Sequence, residues 1–335
     1  MEGQDIQLKK KSEISFSVII IFGKYVKNID FYLKKYLDFM DKFEIEIILV
    51  SEDIQSLKVS PSMKKLNLKL INSDSNLPSE KRNIGVKKSS NNYIVFIDDD
   101  AYPSKEYFDN AYKIISKGYS IFGGPQIAPL EKNNFISDLS DSFYSSKIVN
   151  PFNFRYSIIN KEKKIVKELP TVNFIIDKVI FNKVGGFDKK YWPGEDTILC
   201  DLINNYSKIY YFNTLFVHHA RRDTLMKHFR QISRYGFNRG KLIFKLKKVF
   251  SFLYFLPLFF LILFMPLVLN INLKIMIFII PYLLLISFNN YFKKKKLLQS
   301  ILLPLFSFIS IFLYGFNFLL GLFDFSDKNL PKLGR

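Results

Sequence analysis

Short apolar runs alternate with amphipathic stretches along the first 125 residues. Phe16–Phe22, Ile45–Val50 and Ile94–Ile97 are dominated by β-formers, the pattern of strands covered on both faces in a parallel sheet. Leu66–Ile71 reads as a shorter strand. Between them, Ile29, Tyr32, Leu33, Tyr36 and Leu37 recur at helical spacing over 28–39. Pro78 and Ser79 open a helix over 79–89, and Pro103–Ser116 reads as another. Strands alternating with helices predict an α/β fold built from βαβ units, a Rossmann-like and mostly parallel sheet. The rhythm is lost over 126–168, which is rich in Ser, Asn and Lys and reads as a loop or insertion. Val172–Asp177 then reads as a strand and Val184–Asp188 as a turn, and Gly194-Glu195-Asp196 starts a helix to about Asn204.

From about Val249 the pattern changes to long runs of Phe, Leu and Ile. Val249–Leu269, Ile275–Phe288 and Leu297–Phe323 are apolar enough to predict a helical membrane region of about three spans over 249–323. The last run, which holds Pro304, reads either as one span or as a re-entrant pair. Lys241, Lys245, Lys247 and Lys248 precede the first run, and Lys293–Lys296 follow the second. Positive flanks face the cytosol, so the first two runs form a hairpin of a multi-pass protein in the inner (cytoplasmic) membrane. A basic segment over 224–248 reads as an amphipathic helix at the bilayer interface. The polar start, 1–13, has no apolar core of a signal peptide, so the 14–223 domain is expected in the cytosol, with a short tail over 324–335.

The formal net charge of +19 invites a nucleic-acid reading. The lysines are scattered, and the aromatic residues are not interleaved with arginine as a stacking platform requires, so nucleic acid is not expected as a partner. An anionic membrane surface and an anionic nucleotide fit the charge better. The single cysteine, Cys200, excludes an intrachain disulfide and sits in an amphipathic helix as a core residue.

The candidate chemistry begins where the Ile94–Ile97 strand ends in Asp98-Asp99-Asp100. Three adjacent carboxylates repel one another, and a divalent cation such as Mg²⁺ or Mn²⁺ removes that cost while holding substrate phosphates. Ligands of open α/β sheets bind at the carboxyl ends of strands, where Glu52 also falls.

These residues resemble the family 2 glycosyltransferases of GT-A fold over about 14–240. The family's order is followed by Phe16-Ser-Val-Ile-Ile, Glu52, Arg82-Asn83-Ile84-Gly85, Phe96-Ile-Asp-Asp-Asp100, Val184-Gly-Gly-Phe-Asp188 and Gly194-Glu195-Asp196. The usual Asp-Asp-Gly-Ser after the second strand is Ser51-Glu52-Asp53-Ile54 here, and the usual Asn after the first strand is missing from Phe22-Gly23-Lys24-Tyr25. The resemblance implies a metal-dependent, inverting transfer of a hexose-type sugar from a nucleotide donor, with UDP favoured. Asp100 and Asp98 ligate the metal, and Asp98 and Asp99 lie by the nucleotide. His218, after a strand over 210–217, completes the metal or diphosphate site. Arg82 faces the nucleotide or its diphosphate, or is a helix-face charge, and Glu52 faces the base, or is a solvated turn acid. Asp196 is the base that deprotonates the acceptor, and Glu195 helps to place it. Gln231-Ile-Ser-Arg234-Tyr235 is similar to the Gln-x-x-Arg-Trp motif of membrane-bound polysaccharide synthases, which puts Gln231 and Arg234 at the donor or acceptor. Arg221 and Arg222 are further candidates for phosphate. A catalytic site beside a bilayer implies a lipid-linked or glycan acceptor in cell-surface polysaccharide or glycolipid synthesis. The alternatives are a processive polysaccharide synthase and a non-catalytic scaffold that keeps the fold.

Overall fold

The computed structural model describes residues 14–23, 29–57, 60–129, 134–269 and 273–323. The expected tails 1–13 and 324–335, and Lys24 and Tyr25 after the first strand, lie outside the described residues. In chain order the strands are β1 (Phe16–Ile21), β2 (Ile45–Ser51), β3 (Leu68–Asn72), β4 (Tyr93–Phe96), β5 (Ala101–Pro103), β6 (Ile121–Gly123), β7 (Gln126–Ile127), β8 (Lys163–Val166), β9 (Phe174–Asp177), β10 (Ile209–Phe212) and β11 (Val217–His219). The helices are α1 (Ile29–Lys34), α2 (Leu37–Met40), α3 (Pro78–Lys88), α4 (Tyr107–Ser116), α5 (Phe135–Ser145), α6 (Lys178–Lys183), α7 (Glu195–Ile203), α8 (Leu225–Leu242), α9 (Leu256–Leu269), α10 (Leu273–Lys294) and α11 (Leu297–Leu322).

The chain divides into two compact units. Of the described residues, one contains 14–127 and Ile158–His219, and the other contains Ala128–Ser157 and 220–323. The first is α/β. Its large sheet runs β3-β2-β1-β4-β9-β6-β10-β8. The strands β3, β2, β1 and β4 are parallel, β9 is antiparallel to β4 and β6, and β8 is antiparallel to β10. Every residue of β1, β2 and β4 is buried, which is why these runs carry no polar-apolar alternation. Helix α3 lies close to this sheet because Gly85 has no side chain: a Cβ there would press on Ile19 and Val50. A second sheet, β5-β11-β7, has three strands.

Several local expectations needed correction. The helix expected over 28–39 is two short helices, α1 and α2. The Ala101–Pro103 strand precedes α4, which begins at Tyr107 and not at Pro103. The 126–168 segment is not a loop throughout: it contains β7, α5 and β8. Asn134 caps α5 by accepting from the Ser137 amide. Ser137, Ser140, Ser142 and Ser145 on α5 are buried beside Leu139, Phe143 and Tyr144, so small hydroxyls dilute its apolar periodicity.

The second unit is helical. Helix α11 runs unbroken through Pro304, so this stretch is one helix and not a re-entrant pair. Among the described residues it is the one helix long and apolar enough to cross a membrane, with a mean hydropathy of 2.0. Helix α8 starts at its Thr224 cap and ends at Leu242, short of Lys248. It packs on α11 through Gly236 and Gly240, where a Cβ would strike the backbone oxygens of Tyr314 and Phe318. On α11, Gly321 meets the backbone of Phe237 in the same way. Glycines at such spacing let two helix backbones approach closely.

A polar cluster ties α5 to the lysine-rich turn between α10 and α11. Lys294 donates to Asp141 at 2.7 Å, Lys296 to Asp138, and Lys293 to the Ser145 carbonyl at 3.1 Å. Lys295, at the turn itself, has φ 56°, in the left-handed region.

Candidate active site

The sequence motifs of the α/β unit meet at one end of its sheets. The Arg82-Asn83-Ile84-Gly85 motif lies in α3, and Asn83 exchanges two hydrogen bonds with Phe187: Nδ2 donates to its carbonyl (2.7 Å), and Oδ1 accepts from its amide (3.0 Å). The Val184–Asp188 turn fits there because Gly185 and Gly186 adopt φ 85° and 72°. This lock fixes Arg82. Its Nη1 donates to Glu195 Oε1 at 2.8 Å and its Nη2 to Asp98 Oδ1 at 3.1 Å. Arg82, expected to face the nucleotide or its diphosphate, bridges two carboxylates through its two terminal nitrogens, and its side chain is 5% exposed.

Glu195 and Asp196 occupy the first turn of α7, as expected, behind Gly194 at φ 122°. A helix N-terminus favours carboxylates. Glu195 Oε2 also accepts from the Gly194 amide (3.0 Å), and Asp196 Oδ1 from the Thr197 amide (2.8 Å). Burial first, then the charges of Glu195 and Glu168, push the Asp196 carboxyl up to about 6, against the pull of Arg82 and the Thr197 amide. Glu52 pairs with Lys81 Nζ at 2.8 Å, and Lys81 also donates to the Phe22 carbonyl. Sequence reasoning missed Lys81, which is 3% exposed.

Asp98 and Asp100 leave β4 in the turn before β5. Asp98, Asp100 and His219 each offer a ligand atom, and these atoms lie within 4.8 Å of one another. His219, not His218, joins the carboxylates: its Nε2 is 3.1 Å from Asp100 Oδ1. Neighbouring residues of β11 point to opposite faces. His218 stacks on Tyr102 instead, ring centroids 4.8 Å apart. Two carboxylates and an imidazole suit Mn²⁺ better than Mg²⁺, which takes oxygen ligands. Burial, then the charges of Asp100 and Asp99, raise the phenol of Tyr32, whose ring lies 6.2 Å from that of Tyr102.

Gln231 and Arg234 lie on α8, in the helical unit. Gln231 accepts from the Tyr144 hydroxyl (3.3 Å) and donates to the Tyr235 hydroxyl (3.0 Å). Arg221 is engaged there too: Nε donates to Asp141 at 3.2 Å, and the guanidinium lies over the Tyr156 ring. Burial alone would raise the Asp141 carboxyl, but the charges of Arg221 and Lys294 outweigh it and hold it below the ordinary carboxylate range.

The model of the glycosyl transferase family group 2 matches residues 93–320. The chain belongs to that family. The glycosyltransferase has no match among curated protein sequences. Among solved structures, the mannosyltransferase PcManGT from Pyrobaculum calidifontis, in complex with GDP-Man and Mn²⁺, is similar at a TM-score of 0.50 and 12% identity, over 73% of this chain and 67% of that one. S. aureus TarS 1–349 with UDP-GlcNAc matches at 0.47 and 16% identity over 92% of both chains. A longer TarS structure matches at 0.46 and 18% identity over 71% of this chain, which spans 44% of that structure. The PcManGT likeness is one of fold, and with the mostly parallel sheet it makes the first unit of the glycosyltransferase a GT-A domain followed by a helical region.

Proposed function

We propose that the chain transfers a sugar from a nucleotide-sugar to a lipid-linked or glycan acceptor, with inversion, at a membrane surface. The observation that carries this reading is the joining of Asp98, Asp100 and His219 at one cluster, linked through Arg82 to the α7 carboxylates. Asp98, Asp100 and His219 hold Mn²⁺ or Mg²⁺. The cation, when bound, offsets the negative charge that grows on the leaving diphosphate. Arg82 fixes the separation of the donor side from the acceptor side by holding Asp98 and Glu195. Asp99 and Glu52 line the nucleotide. Asp196 takes the proton from the acceptor hydroxyl as its oxygen bonds to the anomeric carbon and the bond to the diphosphate breaks. A carboxyl at about 6 is ionised at neutral pH, yet more basic than an ordinary aspartate. Attack opposite the leaving group inverts the anomeric centre.

The donor is a UDP- or GDP-sugar: the resemblance favours UDP, and PcManGT holds GDP-Man. Helix α11 supports membrane attachment, with Leu297, Leu298, Ile301 and Leu305 each more than half exposed. We read 224–248 as the interfacial segment. The basic flanks keep the 14–223 domain in the cytosol. The test incubates the detergent-solubilised protein with radiolabelled UDP- and GDP-sugars, Mn²⁺ and a bacterial lipid extract. Label passing into the organic phase with one donor is the expected result. Label that stays in the nucleotide fraction with every donor contradicts the reading.

A further inference from the structure

The surroundings of His219 are set by the small sheet. β11 runs antiparallel to β5 with His219 opposite Ala101, which brings the imidazole beside Asp100. β11 runs parallel to β7 with Val217 opposite Gln126. Val217 and His219 share a face at the two-residue period of a strand, so Gln126 meets His219 on that face. Gln126 Oε1 lies 2.5 Å from His219 Nδ1, while Asp100 Oδ1 lies 3.1 Å from Nε2.

Gln126 is 5% exposed, and its strand is held from behind. Asn173, fully buried, donates from Nδ2 to the carbonyls of Pro125 (3.2 Å) and Leu215 (2.8 Å) and accepts from the Tyr107 hydroxyl (2.8 Å). Gly123 and Gly124 leave no room to shift: a Cβ on either would run into the backbone oxygens of Asn173 or Leu215. The amide of Gln126 is thus presented to His219 by a rigid frame.

An imidazole that binds a cation must turn a bare nitrogen to it, and the hydrogen bond on the other nitrogen decides which one is bare. We propose that Gln126 is a positioning residue for the cation site: its side-chain carbonyl accepts the Nδ1–H of His219 and leaves the Nε2 lone pair facing Asp98 and Asp100. This rests on the reading of those three residues as the cation site. Without that carbonyl, the acceptor left at the ring is the Asp100 carboxylate. The proton then moves to Nε2 and occupies the position the cation needs.

The chain has three histidines, so ¹⁵N-histidine spectra of the full-length protein in detergent, at a pH where the rings are neutral, resolve each one. His219→Gln assigns its signals. The expected result is that the wild type shows a larger Nδ1–H population at His219 than Gln126→Leu and Gln126→Met, which fill the volume without an acceptor. Gln126→Glu, which keeps an acceptor oxygen, should retain the wild-type tautomer. Mn²⁺ affinity in the presence of UDP or GDP, read from the free-ion EPR signal, should fall about 10–100-fold in the Leu and Met variants. An unchanged His219 tautomer in both of these overturns the role of Gln126, whatever the metal does. A wild type whose tautomer depends on Gln126 but which binds no Mn²⁺ with either nucleotide overturns the cation-site reading instead.

Discussion

Asp196 is where a single residue carries most of the proposed chemistry. Its carboxyl lies near 6 in the folded chain against 3.8 for an ordinary aspartate. The sign for catalysis is direct: a base must be ionised, so kcat/KM should fall about tenfold per pH unit below roughly pH 6. The sign for stability is the opposite of a paired carboxylate. Folding disfavours the ionised form, so stability is fullest below the unfolded value and declines as pH rises toward 6. Asp196→Asn removes that cost. It should lower transfer by about 10²–10⁴-fold while the melting temperature at neutral pH holds or rises and nucleotide binding persists. A variant that melts early and loses nucleotide binding would mark Asp196 as structural. The carboxylates of this site were legible in the sequence because like charges at a strand end have few folding reasons to exist. The choice of His219 over His218 was not, because adjacent strand residues face opposite ways and only the register with β5 selects one. Gln126 and Lys81 carried no signal either: each acts through a partner far away in the chain.

At the scale of elements, β1, β2, β4 and α3 were legible because both-face burial leaves uninterrupted apolar runs and helix starts have local chemistry. Helix α5 was hidden because serines are interspersed with Leu139, Phe143 and Tyr144 among its buried positions, and β5 and β11 because three residues are too few to show a period. Helix α8 illustrates the same limit. Its basic, amphipathic sequence reads as an interfacial segment, yet its glycines are the surface on which α11 packs. That contact is tight enough to test. Gly240→Val places a side chain against the Phe318 backbone and should cost about 1–3 kcal/mol, seen as a lower melting temperature. No change in melting would show that the α8–α11 contact does not contribute to stability.

At the scale of the whole molecule, a GT-A domain is joined in one chain to a helical region that contains an apolar 26-residue helix. The net charge of +19 and the apolar helices act differently on a membrane: charge attraction is screened by salt, and apolar insertion is not. Cell membranes carrying the protein should therefore retain it through high salt and alkaline carbonate and release it to detergent. Release by salt alone would show attachment by charge and contradict a spanning α11.

The proposed transfer depends on a nucleotide held through a cation at Asp98, Asp100 and His219. The most direct measurement is the melting temperature of the detergent-solubilised protein with UDP, GDP and dTDP, each with and without Mn²⁺, beside Asp100→Ala. A ligand bound at a hundred times its Kd stabilises the native state by about 2.7 kcal/mol, a shift of several degrees. The account requires a rise with UDP or GDP that needs Mn²⁺ and is lost in Asp100→Ala. A folded wild type that responds to none of the three, or a rise that is equal without metal and in Asp100→Ala, contradicts it.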